Sequence, residues 1–529
     1  MLIRLLLAAA LLCAAALPAR ALDAADALAI AAGDTDARIE ALNRVAAAGD
    51  AALPAYAQAL LDGAVRVAGE RVLIVKDDGS AVDAATGAPA ALPDDAEEPL
   101  LNNRLRGALQ GAQAALALFS RDLAQRRDAV AGFSKLSLDA AQLPLIERAV
   151  GAETDAELKA QLGRMRATLL LAVNDPAQRL AAVDALAASG QPAVRALLQE
   201  RLNSGAETDA QVRVALQRAV TAIERKLAWG ERLGLLFTGL SLGSVLLLAA
   251  LGLAITYGLM GVINMAHGEL MMIGAYATYV VQGLFRQYLP AAFDAYVLVA
   301  IPVAFLAAAL VGAAMERSII RWLYGRPLET LLATWGLSLV LIQAMRSIFG
   351  AQNVPVENPG WLSGGVAPLA NLVLPYNRIA IIVFAFLVLA AVALLIARTR
   401  LGLFVRGVTQ NRRMAACVGV NTARIDTLAF SLGAGIAGLA GCALSQIGNV
   451  GPDLGQSYIV DSFLVVVLGG VGQLAGTVIA ALGLGVLNKL LEGFAGAVLA
   501  KIMVLVFIVV FIQKRPQGLF AMKGRSAEA

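Results

Sequence analysis

Residues that carry metal, redox and covalent chemistry are scarce in this sequence of 529 residues. It contains one histidine and three cysteines, and none of them lies between residues 22 and 230. Cys13 falls in the first apolar stretch, which leaves Cys417 and Cys442 and no possible disulfide framework in residues 22–230. The sequence therefore predicts no metal site and no cofactor. No paired nucleophile and base stand out either, so we expect no enzymatic activity of the chain itself.

The chain also lacks an ATP-binding motif and is poor in charge. No G-x-x-x-x-G-K-[ST] sequence occurs, so any step driven by ATP needs an ATPase on another chain. The stretch Gly433-Ala-Gly-Ile-Ala-Gly438 matches G-x-G-x-x-G, but it lies in an apolar run without a strand before it and predicts close helix packing instead. Charged residues make up 16% and hydrophobic residues 59%, and the mean hydropathy is +0.71. We therefore predict an all-α, polytopic helical membrane domain preceded by a soluble helical domain.

The N-terminal end has the three parts of a secretory signal. A basic residue precedes an apolar core from Leu5 to Leu17, and Ala19-Arg20-Ala21 fits an A-x-A cleavage site. Residues 1–21 are predicted to be a cleavable signal peptide, with an uncleaved anchor as the alternative. Residues 22–230 would then be an exported, periplasmic helical domain, for which binding is the expected role.

Alanine-rich sequence with leucine or valine at helical spacing fills residues 22–230. The stretches 34–49 and 175–190 align without gaps, and the hexapeptide GAETDA occurs twice. Such repetition is typical of a HEAT-like array of helical hairpins, and an irregular helical bundle is the alternative. Between residues 71 and 82, a β-branched run followed by a Lys-Asp-Asp-Gly turn predicts a β-hairpin.

Residues 231–513 are predicted to form a transmembrane domain of about eight or nine membrane segments. The candidate spans are roughly 234–257, 262–285, 295–315, 328–349, 378–397, 427–447 and 494–513. A further segment at 459–490 is interrupted at Gly469-Gly-Val-Gly472, and as one straight helix it would be about 48 Å long, too long for the hydrocarbon core. It is therefore predicted to be two crossings or a re-entrant pair, a geometry typical of transporters and channels.

Short loops beside the spans carry much of the positive charge. Residues 398–426, called the arginine loop here, contain six arginines and no acidic residue before Asp426. The positive-inside rule places this loop and the tail 514–529 in the cytoplasm. The net charge of +4 thus reports orientation and does not indicate nucleic-acid binding.

Within the arginine loop, residues from Gln410 to Cys417 favour a helix, with Gly407 before it and Gly419 after it. This pattern predicts a short helix on the membrane face, and we interpret it as the contact for a separate motor subunit. The predicted contact residues are Gln410, Asn411, Arg412, Arg413, Met414, Ala415, Ala416, Val418 and Gly419.

Polar residues in or near the spans are the candidates for a transport path, because an ionisable group within the membrane is costly and usually functional. They are Asn264, His267, Glu269, Thr334, Asn449, Gln456 and Asp461. For His267, a packing and hydrogen-bonding role between helices is the alternative.

Several of these stretches resemble a known family. They are INMAHGELMMIGAYATY at 263–279, RGVTQNRRMAACVGVNTARID at 406–426 and FSLGAGIAGLAG at 430–441. Over about residues 234–520 the chain resembles the inner-membrane permease of branched-chain amino acid type ABC importers. RPLETLLATWGLSL at 326–339, GNVGPDLGQSYIVDSFLVVVLGGVG at 448–472 and the long N-terminal extension are similar to the urea-type permease of that family.

The resemblance implies a second permease subunit, two cytoplasmic ATPase subunits and a periplasmic substrate-binding protein as partners. It also implies that the segment around Asn411 to Val420 is a coupling helix that inserts into an ATPase groove. The expected function is that of the permease subunit of an ATP-driven importer, forming the path for urea across the bacterial inner membrane. Alternative cargoes are a branched-chain amino acid or a short amide. Alternatives of another class are a membrane-anchored sensor or scaffold and an ATP-independent channel.

Overall fold

The computed structural model describes residues 22–520, apart from 49, 51, 77–78, 94–95, 135–141 and 262. The predicted signal peptide therefore lies outside the described residues, as does most of the predicted tail. The chain forms two compact units, Met1–Arg225 and Lys226–Ala529. The division between them falls a few residues before the boundary predicted at residue 230.

The N-terminal unit consists of helices and one small sheet. Its helices are α1 (Ala24–Ala31), α2 (Thr35–Ala48), α3 (Leu53–Leu61), α4 (Asn103–Ala117), α5 (Leu123–Phe133), α6 (Leu143–Ala152), α7 (Ala156–Leu170), α8 (Pro176–Ser189), α9 (Pro192–Asn203) and the first part of α10 (Ala210–Met260). The apolar residues at helical spacing are buried between these helices, with Leu42 and Leu109 in one cluster and Val130 and Leu162 in another. Burial of these side chains is what stabilises helices with so little charge on their inner faces.

The predicted hairpin is confirmed as part of a four-stranded antiparallel sheet. The strands are β1 (Val65–Ala68), β2 (Arg71–Val75), β3 (Ala81–Asp83) and β4 (Pro89–Ala90), in sequence order across the sheet. The turn between β2 and β3 closes where the N–H of Gly79 donates to the carbonyl of Lys76 at 2.9 Å. Gly79 has a φ of +78°, a conformation that glycine adopts without the steric penalty of a side chain.

Buried arginine–glutamate pairs recur in the N-terminal unit. Arg126 donates to both carboxylate oxygens of Glu153, at 2.9 and 3.2 Å, and Arg179 donates to both oxygens of Glu207, at 2.9 Å. Each arginine lies in the first turn of its helix, and each glutamate belongs to one copy of GAETDA. The repeated hexapeptide therefore marks a repeated structural contact, a bidentate charge-assisted pair.

The gapless alignment of 34–49 with 175–190 marks a looser correspondence. Arg38 and Arg179 occupy matching positions and are both buried, at 6% and 8% exposure. However, Arg38 donates to two backbone carbonyl groups, at 2.8 and 2.9 Å, where Arg179 also binds a carboxylate. The two stretches share a helix start, and the closer structural relation is between the two arginine–glutamate pairs.

The second unit consists mostly of long apolar helices, with two short helices of 11 and 6 residues in the arginine loop. Besides the rest of α10 they are α11 (His267–Tyr288), α12 (Tyr296–Ser318), α13 (Pro327–Phe349), α14 (Tyr376–Arg398), α15 (Arg400–Gln410), α16 (Arg412–Cys417), α17 (Thr422–Ser445), α18 (Gln456–Gly469), α19 (Leu474–Ala495) and α20 (Ala497–Lys514). A short hairpin, β5 (Gly365–Leu369) and β6 (Leu372–Pro375), precedes α14. Seven of the described helices are long and apolar enough to cross a membrane, which confirms the all-α, polytopic prediction. The predicted number was about eight or nine, and α11, at the predicted span 262–285, is not among the seven.

Helix α17 lies at the centre of this unit, and the most apolar stretch of 18 residues in α17 is 83% buried. Gly433 packs against α10, and a methyl group on Gly438 would come within 2.5 Å of the carbonyl oxygen of Ala304 in α12. Gly441 touches the backbone of Met271 in α11. The glycine pattern of this segment therefore serves close helix packing, as predicted, because only small residues let three backbones approach one helix.

The glycine-broken segment forms two helices. Helix α18 ends at Gly469, and α19 begins at Leu474. Between them Gly470 and Gly472 have φ values of +98° and +75°, which side chains other than glycine rarely adopt. With 14 residues, α18 is about 21 Å long, shorter than the hydrocarbon core. The predicted break is confirmed.

Candidate functional site

The arginine loop folds into two short helices. Helix α15 ends at Gln410, Asn411 is extended with φ −151° and ψ 97°, and α16 begins at Arg412. The prediction of one helix starting at Gln410 is therefore wrong at its start. The side-chain oxygen of Asn411 accepts the N–H of Met414 at 3.0 Å, which caps α16 and explains the restart. Gly419, with a φ of +87°, follows the end of α16.

The side chains of α16 divide into an exposed set and an inward set. The predicted contact residues that lie at the surface are Gln410, Asn411, Arg412, Arg413, Met414, Ala416, Val418 and Gly419. Met414 and Val418 are large apolar side chains with 60% and 73% exposure. Ala415, in contrast, is 7% exposed and belongs to the core cluster. We call Arg413, Met414, Ala416 and Val418 the outer face of α16.

A groove of about 470 Å³ adjoins this outer face. It is lined by Leu401, Phe404, Val418, Gly419, Val420, Asn421, Arg424, Ile425 and Leu428. The lining is mostly apolar, with one arginine and one asparagine. Such an exposed apolar surface beside basic residues is typical of a protein contact.

Arg412 points from α16 towards the membrane unit, although part of it remains exposed. The guanidinium of Arg412 forms an ion pair with Asp426 in α17. It also lies 4.9 Å from the ring centroid of Tyr324, a cation–π contact. Burial, together with the carboxylates of Asp426 and Glu316, raises the pKa of Tyr324, so its phenol stays neutral. The contacts of Arg412 are thus internal, whereas the side chain of Arg413 is exposed.

Four of the predicted path residues gather where α11 begins. His267 is fully buried, and its Nε2 donates to the carbonyl of Ala249 in α10 at 3.0 Å. Asn264 accepts the N–H of Ala266, and Thr334 accepts the N–H of Met265 at 3.2 Å. These hydrogen bonds join the start of α11 to α10 and α13.

Glu269 is the fourth residue of this group, and like Asn264 and His267 it has one buried polar atom without a hydrogen-bond partner among the described residues. It is 1% exposed, and Ser338 in α13 donates to its Oε1 at 2.7 Å. Its Oε2 has no hydrogen-bond partner among the described residues. A buried carboxylate oxygen without a donor is costly and marks a functional candidate.

A polar recess of about 380 Å³ lies beyond this group. It is lined by Asn353, Leu444, Ile447, Gly448, Asn449, Gly451, Asp453, Leu454, Ser457 and Tyr458. Asp453 at its edge is paired with Arg346 at 2.8 Å. The predicted residue Asn449 therefore lines a cavity, and Gln456 is exposed just after it.

A tight backbone crossing adjoins both Glu269 and the recess. Gly268, at the start of α11, touches the backbone of Gly455, next to the recess residue Leu454. A methyl group on Gly455 would lie 2.8 Å from Oε2 of Glu269. The free oxygen of Glu269 thus points at this crossing.

Asp461 does not join the other predicted path residues in their contacts. It lies in α18 and faces Lys501 of α20, with 3.9 Å between the charged atoms. Sequence reasoning also missed Ser338, Glu316 and Asp426, of which the two acids are 0% exposed. The signal that could have found the acids is a carboxylate at the end of an apolar run. In the described part of the chain, no group of three or more His, Cys, Asp or Glu residues could hold a metal ion.

The fold and this buried polar group define a class, the multi-pass membrane transport proteins. Within it, the chain belongs to the family described as the permease component of branched-chain amino acid transport systems, whose description matches residues 235–512, more than half of the chain. It is 30% identical over 288 residues to the high-affinity branched-chain amino acid transport permease BraD of Pseudomonas aeruginosa, covering 54% of this chain and 94% of the relative. Identity to LivH of Escherichia coli K12, a permease of the same description, is 28% over 294 residues, with the same coverage. No solved structure matches the chain.

A shorter similarity joins the chain to another transporter. It is 34% identical over 98 residues to the ribose import permease RbsC of Escherichia coli K12, covering 17% of this chain and 30% of that protein.

The family match shows that the chain is an ABC transporter permease of the inner membrane, a transport subunit and not an enzyme, and its family works with separate ATPase and substrate-binding partners. These relatives are named for branched-chain amino acids or ribose and not for urea. The predicted urea cargo is thus unsupported, and the alternative cargo has the better support.

Proposed function

We propose that this chain forms the membrane path for a branched-chain amino acid in an ATP-driven importer. The observation that carries the proposal is the family match over residues 235–512 together with Glu269, a buried carboxylate with one free oxygen in that region. An amino acid carries an ammonium group, which is the natural partner for a carboxylate. Urea is uncharged and has no such group.

The surroundings of Glu269 support a role in cargo passage. In the described part of the chain no lysine or arginine forms an ion pair with it, so no cation among these residues would balance its carboxylate. Gly268 and Gly455 close on each other beside it, and the polar recess begins next to them. A cargo that moves from the recess past this crossing would meet Glu269 directly.

Urea remains the second candidate because of the N-terminal unit. BraD and LivH are covered over 94% of their own length by about half of this chain, so residues before the matched region have no counterpart in them. An added domain is one of the features, with the stretches 326–339 and 448–472, by which the sequence resembles urea-type permeases. Uptake of labelled leucine and of urea by the same transporter decides between the two.

The proposed assembly has two permease subunits, two ATPases and a soluble binding protein. In this arrangement residues 22–230 lie in the periplasm and contact the binding protein, while the arginine loop lies in the cytoplasm and the outer face of α16 contacts an ATPase. The support is the loop's six arginines and the exposed apolar side chains of Met414 and Val418.

The test is uptake by cells that carry the complete transporter and lack other importers for these cargoes. We expect labelled leucine to be taken up, with competition by isoleucine and valine and not by urea. Glu269→Gln should lower leucine uptake roughly ten- to hundredfold, because a charged hydrogen bond contributes about 1.5–3 kcal/mol. Glu329→Gln, which removes an exposed carboxylate at the start of α13, is the matched control and should have no effect.

Uptake of urea in place of leucine, unchanged by Glu269→Gln, would reject the amino acid cargo. Uptake of neither compound when ATP is hydrolysed by the complete transporter would reject both.

A further inference from the structure

Two fully buried carboxylates lie at one end of the helix bundle. Glu316 is near the end of α12, and Asp426 is in the first turns of α17, and both are 0% exposed. Two like charges in an apolar interior must be compensated by partners, or the helices that carry them come apart.

Glu316 finds its partners within the bundle and the turn that follows it. Its Oε2 accepts the hydroxyl of Thr427 at 2.6 Å, and Arg321 donates to the same oxygen at 3.4 Å. The Tyr324 hydroxyl lies 3.3 Å from Oε1. This carboxylate therefore fixes α12 against α17, because Thr427 belongs to α17.

Asp426 is different because its ion-pair partner comes from outside the bundle. In the described part of the chain the ion pair of Asp426 is with Arg412, the first residue of α16. Arg412 also covers the ring of Tyr324, whose hydroxyl reaches Glu316. One continuous set of contacts thus runs from α16 to α17 and α12.

Helix α16 has few other ties to the bundle. The extended residue Asn411 separates it from α15, and Gly419, with positive φ, follows it. On its inner side the small side chain of Ala415 packs into the core, a contact without directional bonds. Arg412 is the directional contact, since an ion pair between a guanidinium and a buried carboxylate holds its geometry.

We propose that the Arg412–Asp426 ion pair is the link through which movement of α16 is transmitted to α17, so that Arg412 is a positioning residue and not a contact of the ATPase. The proposal rests on the proposed function, in which α16 meets the ATPase. Arg413 and Met414 on the outer face then receive the motion, and Arg412 passes it to the helix that packs against α10, α11 and α12.

The test uses the complete transporter with three variants, Arg412→Gln, Asp426→Asn and the double variant. Thermal stability, ATPase co-purification, ATP hydrolysis and cargo uptake are measured for each. Arg326→Gln is the matched control, because Arg326 forms an exposed ion pair with Glu329 and should leave all four unchanged.

The single variants should differ in stability because only one of them leaves a buried charge without its partner. Arg412→Gln should lower the melting temperature most, Asp426→Asn less, and the double variant should recover most of the loss. All three should retain the ATPase and its hydrolysis while cargo uptake per ATP falls about tenfold.

Recovery of uptake together with stability in the double variant would show that the pair only stabilises the fold, and would overturn the proposal. Loss of ATPase co-purification in Arg412→Gln would overturn it too, because Arg412 would then be an ATPase contact. A wild-type complex that hydrolyses ATP without taking up any cargo would instead contradict the proposed function.

Discussion

Gly441 in α17 offers a sharp test of the packing around this helix. A methyl group on Gly441 would collide with the carbonyl oxygen of Met271 and lie 2.9 Å from the backbone nitrogen of Ala275, both in α11. Backbone atoms cannot rotate away as a flexible side chain can. Gly441→Ala must therefore push α11 and α17 apart along a closely packed interface.

The expected magnitude follows from two opposing terms. Alanine is favoured over glycine inside a helix by roughly 0.5–1 kcal/mol, whereas overpacking costs about 1–3 kcal/mol. The free energy of unfolding should therefore fall by about 0.5–2 kcal/mol in Gly441→Ala. The matched control is Gly336→Ala in α13, where no heavy atom lies within 4 Å of the added methyl group. That variant should gain about 0.5–1 kcal/mol.

The assay is thermal unfolding of the purified chain in detergent, with the wild type and both variants measured side by side. The two substitutions are chemically identical, so their opposite signs isolate the contact with α11. Equal shifts of the same sign in both variants would refute the packing argument. So would a Gly441→Ala protein that melts above the wild type.

Two further predictions concern Glu207 in the N-terminal unit and the outer face of α16. Burial opposes ionisation of Glu207, yet hydrogen bonds from Arg179 and the N–H of Asp209 hold the pKa of this carboxyl below its ordinary value of 4.5. The ionised carboxyl therefore stabilises the folded state fully above pH 4.5, and this stabilisation is lost as the pH falls through the lower pKa of the folded state. Glu207→Gln should thus flatten the acid dependence of unfolding of the N-terminal unit, followed by circular dichroism from about pH 7 to about pH 3, and parallel curves for variant and wild type would contradict this. On the outer face of α16, Met414→Glu with Val418→Glu should abolish ATPase co-purification at unchanged chain abundance, whereas retention of the ATPase would place its contact elsewhere.

Some elements of this fold are local in origin and could be predicted from sequence. The break between α18 and α19 requires residues with positive φ, and the glycines at positions 470 and 472 predict it. The small residues of α17 likewise predict that other helices pack closely against it. The start of α16 is also determined by local sequence, because Asn411 is a strong N-cap residue. The predicted helix included Asn411 because the prediction used helix propensity alone.

Contacts between distant residues could not be predicted in the same way. Ser338 donates to Glu269 from 69 positions away, and nothing in either local sequence identifies the other. Arg412 lies in a basic loop and is predicted to contact the motor subunit, yet its guanidinium pairs with the buried Asp426 while part of the side chain stays exposed. Pairing of charges in an apolar interior depends on helix packing, which a single sequence does not specify.

The buried carboxylates of the membrane unit fall into two kinds. Asp426 and Glu316 each have an arginine within the chain, at Arg412 and Arg321, so their charges are compensated without any ligand, although Oδ1 of Asp426 has no hydrogen-bond partner among the described residues. Glu269 has no such cation in the described part of the chain, and Ser338 satisfies one oxygen. An uncompensated carboxylate in an apolar interior must either bind a proton or meet a cation from outside.

Because of this difference, the charge of the cargo can be tested at a single residue, Glu269. A neutral amide gives Glu269 no charge to pair with, so a urea path would tolerate glutamine at this position. An amino acid presents its ammonium group to the free oxygen, and glutamine would leave that group unpaired in a desolvated site. The effect of Glu269→Gln on uptake therefore reports the charge of the cargo independently of its size, which competition between leucine and valine alone would not do.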